Sequence, residues 1–257
     1  MTTRLAERVV VIAGGAGGVG RACAEQVVRE GGHAVITDVD EAGGQALAEA
    51  LGARALFRRL DIASEAGWAA LMAEVAERFG GLHGLVNAAA ICPSEDLEAT
   101  SLALFQKVQR INVDGVFLGC QAAVRAMRAN RPDGPRGGSI VNVVSTAAVA
   151  GHRGLCAYTA SKGAVAALTR NVAAHCRAQG LFVRCNAVIP GGIKTPMTAT
   201  LVATLPREVT DIAVSPTANF CDPVDVAHAV TYLLGEESRF VNGSELRVDN
   251  ALLSAIA

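Results

Sequence analysis

Short runs of apolar and β-branched residues alternate along the chain with longer, alanine-rich stretches of helical pattern. The runs Arg8–Ala13, Ala34–Asp38, Ala55–Asp61, Gly84–Asn87, Ser139–Val144, Phe182–Val188 and Glu245–Val248 read as strands. Between them, Val19–Glu30, Glu41–Leu51, Glu65–Phe79, Leu102–Arg128, Tyr158–Gln179 and Pro223–Leu233 read as helices. This alternation predicts a doubly wound α/β fold, a parallel sheet of about seven strands with helices on both faces. No repeat of fixed period is present. The one Pro/Gly-rich charged stretch, Asn130–Gly138, is short enough for a surface loop, so residues 1–257 are expected to form a single domain.

Composition narrows the function classes. With 51% hydrophobic and 18% charged residues, the chain can bury a sizeable core and is no disordered polymer. Lys and Arg (23) balance Asp and Glu (24) with no basic run, which removes the electrostatic footprint of a nucleic-acid or anionic-membrane partner. Seven widely spaced cysteines with no Cys-x-x-Cys predict reduced core thiols, neither a disulfide framework nor zinc. The five histidines show no metal spacing either. The first apolar run, Val9–Ala13, is shorter than the ~7–15 residues of a secretory core, and none reaches the ~18 of a membrane span; a cytoplasmic protein is expected.

Chemistry concentrates in three places. The first strand runs into Ala13-Gly14-Gly15-Ala16-Gly17-Gly18-Val19-Gly20 and then a helix, a turn that aims backbone N–H groups and the helix dipole at a pyrophosphate. Asp38 ends the second strand 18 residues after Gly20, near the ~20 expected of an acid that accepts from adenosine ribose hydroxyls and repels a 2′-phosphate. Position 39 is Val, and no Arg adjoins Asp38 in the chain or sits in the glycine turn, so NAD is expected over NADP. Tyr158 and Lys162, four residues apart, share one helix face, where an ammonium could lower the phenol pKa and let it exchange a proton with an alcohol. Ser145, thirteen residues before Tyr158, lies just past a strand, at the carboxyl edge where such sheets bind ligands.

Taken together, the ordered set Gly14-x-x-x-Gly18-x-Gly20, Asp38, Asp61, Asn87-Ala-Ala-Ala90, Asn112, Ser145, Tyr158-x-x-x-Lys162 and Pro190–Met197 resembles the short-chain dehydrogenase/reductase family over nearly the whole chain. The resemblance implies a Rossmann-like fold and a tetrad of Asn112, Ser145, Tyr158 and Lys162. In it Tyr158 is the acid/base, Ser145 holds the substrate oxygen, Lys162 binds the nicotinamide ribose, and Asn112 anchors a relay water. It also implies coenzyme contacts at Gly14, Gly17, Gly18, Val19 and Gly20, at Asp61 and Ile62 near the adenine, at Asn87 beside the ribose, and at Pro190, Ile193 and Thr195 near the carboxamide. Hydride transfer would use the pro-S face of the nicotinamide.

Four departures stand out. Ala13, Ala88 and Ala90 replace the usual Thr, Asn and Gly near the coenzyme, and Val248-Asp249-Asn250-Ala251 replaces a C-terminal Val-Asp-Gly-Gly. On the substrate side, His152, Arg153 and Met197 are candidates, and residues 194–215 carry Leu201, Val202, Leu205, Val209 and Ile212 where relatives have a lid. An apolar lid suits a hydrophobic secondary alcohol or its ketone, with water excluded over the nicotinamide. The expected activity is NAD-dependent alcohol/ketone oxidoreduction. The alternatives are an NADPH-dependent 3-oxoacyl-type ketoreductase, a noncatalytic NAD-binding protein, and a nucleotide-sugar epimerase, for which the chain is short. The alanine-rich helices Leu102–Arg128 and Tyr158–Gln179, paired across subunits in relatives, predict a homotetramer.

Overall fold

A computed structural model describes residues 3–130 and 137–254. Residues 131–136, inside the loop expected at Asn130–Gly138, lie outside the described residues.

In chain order the elements are β1 (Val9–Ala13), α1 (Gly18–Arg29), β2 (His33–Asp38), α2 (Glu41–Leu51), β3 (Ala55–Arg59), α3 (Glu65–Phe79) and β4 (Gly84–Asn87). There follow α4 (Leu102–Gln109), a π-helical turn (Arg110–Asp114), α5 (Gly115–Arg128), β5 (Gly138–Val143), α6 (Cys156–Ala178) and β6 (Val183–Pro190). The C-terminal part holds β7 (Gly192–Ile193), α7 (Ala199–Val202), α8 (Arg207–Thr210), β8 (Phe220–Cys221), α9 (Pro223–Leu234) and β9 (Glu245–Val248).

Among the described residues, seven strands make one parallel sheet in the order β3-β2-β1-β4-β5-β6-β9, and β7 pairs with β8 apart from it. The central strands are apolar at nearly every position because both faces are covered. One face buries Val11, Val35 and Leu85 beneath Trp68, Leu71, Val116 and Val165 of α3, α5 and α6. The other buries Ile12, Ile36 and Val86 beneath Cys23, Val27, Leu47 and Val230 of α1, α2 and α9. The chain winds outward from β1 through β2 to β3, then restarts at β4 and winds the other way. The crevice between the carboxyl ends of β1 and β4 is therefore the topological switch point where such sheets take ligands.

The expected elements are all present with two informative changes. The third strand stops at Arg59 rather than Asp61, because Asp61 turns the chain: its carboxylate accepts from Ala63 N (2.9 Å) and its carbonyl from Ser64 N (2.9 Å). The helix expected as one piece over Leu102–Arg128 is broken by the π turn at Arg110–Asp114, whose Asn112 side chain is drawn toward Ile91 and Ser161.

Candidate active site

The glycine turn is shaped by close approach of main chain. Gly14 N and Gly15 N both donate to Thr37 O, at 2.8 and 3.0 Å, tying the turn to the end of β2. Gly14 takes a φ of +78°, and a Cβ there would stand 2.5 Å from Ala89 N; on Gly20 it would stand 2.0 Å from Gly14 O. Gly17, the N-cap of α1, is different: a Cβ there would meet nothing within 4 Å. The turn thus presents an open cradle at the amino end of a 12-residue helix that no side chain caps. Asp38 stands at its rim, one carboxylate oxygen accepting from Ala16 N and the other from Asp40 N, both at 3.1 Å, with lone pairs left for ribose hydroxyls. The methyl of Thr195 lies 3.3 Å from where a Gly18 Cβ would be, so the segment after β7 abuts the turn. Cradle, helix terminus and rim carboxylate fit a dinucleotide.

Across the crevice, Ser145 lies just beyond β5 and accepts from Ala147 N (3.1 Å). One helical turn apart on α6, half-buried Tyr158 and buried Lys162 point back to the same edge. The Lys162 ammonium donates to Val143 O at the end of β5 (2.8 Å) and stands 5.5 Å from the centre of the Tyr158 ring. Burial lowers the Lys162 pKa to about 8, opposed only by the charge of Cys92. The expected depression of Tyr158 by Lys162 is not found. Burial raises the phenol above its ordinary value, with Cys92 adding to the rise and a hydrogen bond from Ser145 opposing it.

Asn112 serves as a splint between the segment after β4 and α6. Its Oδ1 accepts from Ile91 N (2.9 Å), and its Nδ2 donates to Ile91 O (2.9 Å) and Ser161 Oγ (3.0 Å). Ser161 Oγ in turn donates to Tyr158 O (2.7 Å). Both Asn112 N–H groups are thereby spent inside the protein, so a relay water could be held only by Oδ1 or by main chain.

The other expected residues are placed as follows. The Asn87 side chain, expected beside the ribose, is buried under the sheet and donates to Asn142 Oδ1 (2.8 Å), because strand alternation turns it toward α5. Ile62 packs in the core, where a Cβ on Gly115 would come within 2.6 Å of it. Both residues therefore offer a coenzyme main chain only, whereas the Asp61 carboxylate is exposed. Pro190 ends β6, and Ile193 lies in β7 facing the α9 side of the core. Val19 opens α1 directly after the turn. His152, Arg153 and Met197 are all exposed.

Sequence reasoning missed three residues. Cys92 is close enough to Tyr158 and Lys162 to shift both pKa values, and burial raises its own. Ser161 is the link between Asn112 and Tyr158. Thr198 accepts from Thr195 N (3.1 Å) and donates to Ile193 O, shaping the start of the segment after β7. The Thr195-x-x-Thr198 spacing was a readable signal for the last; nothing local marked the other two. Among the described residues no group of His, Cys, Asp or Glu is placed to hold a metal, and no helix is long and apolar enough to cross a membrane.

A seven-stranded parallel sheet with a glycine cradle at its switch point and a Ser/Tyr/Lys group on the facing edge defines a dinucleotide-binding oxidoreductase. The family model described as enoyl-(acyl carrier protein) reductase matches residues 14–251. The chain is 40% identical to a 3-beta-hydroxysteroid dehydrogenase of Comamonas testosteroni, covering 98% of both chains. It is 35% identical to a 3-alpha-(or 20-beta)-hydroxysteroid dehydrogenase of Mycobacterium bovis, covering 100% of this chain and 94% of that one. It is also 34% identical to an NADP-dependent (R)-specific alcohol dehydrogenase of Lentilactobacillus kefiri, covering 97% of this chain and 98% of that one. The protein belongs to the short-chain dehydrogenase/reductase family. Its chemistry is the interconversion of a secondary alcohol and its ketone.

Proposed function

We propose that this protein is an NAD-dependent dehydrogenase of bulky apolar secondary alcohols, with hydroxysteroids as the favoured substrate class. The observation that carries the reading is the convergence of Ser145, Tyr158 and Lys162 at the carboxyl end of β5, across the crevice from the glycine cradle. Gly14, Gly17, Gly18, Val19 and Gly20 would hold the pyrophosphate and Asp38 the adenosine ribose. Asp61, with the main chain of Ile62 and Asn87, would border the adenosine, and Pro190, Ile193 and Thr195 the carboxamide. NAD, when bound, supplies the acceptor for the two electrons leaving the alcohol carbon.

The chain's own residues would manage the proton and the geometry. Ser145 holds the substrate oxygen, and Tyr158 takes the alcohol proton. Lys162, charged below about pH 8 and 5.5 Å from the Tyr158 ring centre, would stabilise the phenolate from within a low-dielectric pocket. Asn112 is the tetrad's fourth member, fixing the α6 backbone through Ser161 and bordering the proton path.

Residues 194–215 supply the substrate side. Met197, Leu201, Ile212 and Val214 are exposed. The segment is rooted by the Lys194–Asp222 ion pair (3.3 Å) and by Lys194 N donating to Cys221 O (3.0 Å). Closing this lid over an apolar alcohol would bury those side chains and expel water. The names of the Comamonas and Mycobacterium relatives support a steroid alcohol, and His152 and Arg153 border the way in. We place the enzyme in the cytoplasm as a homotetramer. Seven free thiols support the first, and the exposed Phe117 face of α5, with the fully exposed Phe240, supports subunit contacts.

The test is a panel of 3-hydroxysteroids, cyclohexanol and a 3-hydroxyacyl thioester with NAD and NADP, followed by formation of the reduced coenzyme. Hydroxysteroids with NAD are expected to exceed cyclohexanol at least tenfold in kcat/KM. A preference for NADP with the thioester returns the ketoreductase reading. No turnover of any alcohol returns the noncatalytic one.

A further inference from the structure

Two adjacent arginines in β3 face opposite sides of the sheet, and only one is spent. Arg58 pairs in register with Thr37, on the α3 face, where it donates to Glu74 (2.8 Å). Arg59 pairs in register with Asp38 itself, and its side chain is exposed. Residues directly opposite in a parallel pair project to the same face with strands ~4.8 Å apart, so the Arg59 arm starts beside the rim carboxylate of the glycine cradle. Arg59 takes part in none of the ion pairs among the described residues. The acids at this end of β2 have other work: Asp38 accepts from Ala16 N and Asp40 N, and Asp40 caps α2 by accepting from Gly43 N. Along the chain no arginine adjoins Asp38; the fold supplies one from the neighbouring strand.

A guanidinium presents a planar fork of donors that matches a phosphate, and it keeps its charge at every relevant pH. A carboxylate at the same spot repels a phosphate but suits the bare ribose hydroxyls. The two charges therefore pull coenzyme choice in opposite directions. We propose that Arg59 is a second coenzyme-specificity residue, a latent binding site for the 2′-phosphate of NADP that the Asp38 carboxylate alone holds shut. The inference rests on the reading of Asp38 as the ribose acid.

The experiment is fluorescence titration with NADH and NADPH, without substrate, on the wild type and on Asp38→Asn, Arg59→Gln and the double variant. Asn at 38 keeps an oxygen for Ala16 N while removing the charge. NADPH binding is expected to tighten at least tenfold in Asp38→Asn and to lose most of that gain in the double variant. NADH affinity should stay within twofold when only Arg59 is changed. The NADPH gain in Asp38→Asn should also fall steeply with added salt. A double variant that binds NADPH as tightly as Asp38→Asn overturns the proposal. If Asp38→Asn fails to fold by circular dichroism, Asp38→Ser takes its place. A wild type that prefers NADPH defeats the Asp38 reading but not the test of Arg59, since Arg59→Gln must then weaken NADPH several-fold. Indifference of NADPH binding to Arg59 in every background overturns the inference.

Discussion

The two sides of the crevice are built differently. On the β1–β2 side the surface is main chain: glycines whose Cβ positions are occupied by Ala89 and by the turn itself, and a carboxylate held by two backbone amides. On the β5–β6 side it is side chain: a serine, a tyrosine and a buried lysine, followed after β6 by a segment whose Met197, Leu201, Ile212 and Val214 stand in solvent. A surface made of close-packed backbone tolerates little variation, because any added atom must displace main chain. A surface made of side chains on a loosely packed segment can change its ligand without touching the fold. That division fits a family in which relatives of 34–40% identity carry the names of steroid and simple alcohol dehydrogenases.

Five substitutions would break or sharpen the contrast, the largest effect first. Removing the phenolic hydroxyl by Tyr158→Phe should lower kcat by roughly 10³-fold or more while NADH affinity, read by fluorescence, changes less than threefold. Comparable loss of coenzyme binding would mean that the two sides are not separable.

On the backbone side, Gly20→Ala would force a Cβ to 2.0 Å from Gly14 O. It should cost about 3 kcal/mol or more of stability in denaturant unfolding. Gly17→Ala, which meets nothing within 4 Å, should unfold like the wild type yet bind NADH at least fivefold more weakly. If Gly17→Ala binds normally, the cradle is not where the pyrophosphate lies.

Lys162 allows a test through pH. Its folded pKa of about 8 is below the ordinary 10.5, so between those values the unfolded chain holds more protons and stability rises with pH. Below pH 8 the buried ammonium is a standing cost. Lys162→Met should therefore raise stability at pH 7 by roughly 1–2 kcal/mol, after loss of the bond to Val143 O, and flatten the rise from pH 8 to 10.5. A less stable variant with an unchanged pH profile would show that the ammonium is not buried at a cost.

The smallest effect is expected at the lid's root. Asn250 and Ala251 stand at φ +47° and +63°, a left-handed region that favours glycine, and Asn250 Nδ2 donates to Pro216 O and Ala218 O at 2.8 and 2.9 Å. Asn250→Gly relieves the backbone but removes the tether. It should leave stability within about 0.5 kcal/mol while raising KM for the alcohol two- to fivefold and speeding proteolysis within 194–215. Unchanged KM and proteolysis would mean that the tail does not hold the lid.

Most of the scaffold was legible before any coordinates. Strand and helix periods, the glycine turn followed by an acid, and Tyr158 one turn before Lys162 are all short-range patterns, and short-range geometry follows from the backbone itself. Side-chain direction was less legible. Asn87 and Ile62 lie in stretches expected near a coenzyme, but strand alternation and packing against Gly119 and Gly115 turn their side chains into the core, leaving their main chain at the edge. The π turn at Asn112 was invisible because its partners, Ile91 and Ser161, are 21 and 49 residues away.

By itself the sequence determined the order of elements, the doubly wound parallel sheet and the chemical types gathered at its carboxyl edge, since these follow from local periodicity and short motifs. The tertiary structure alone decided which neighbours those residues acquired. It set Arg59 beside Asp38, Cys92 within range of Tyr158 and Lys162, and Asn112 against Ser161. Strand register and helix packing join positions far apart in the chain, and charge and burial at a site are sums over those distant neighbours.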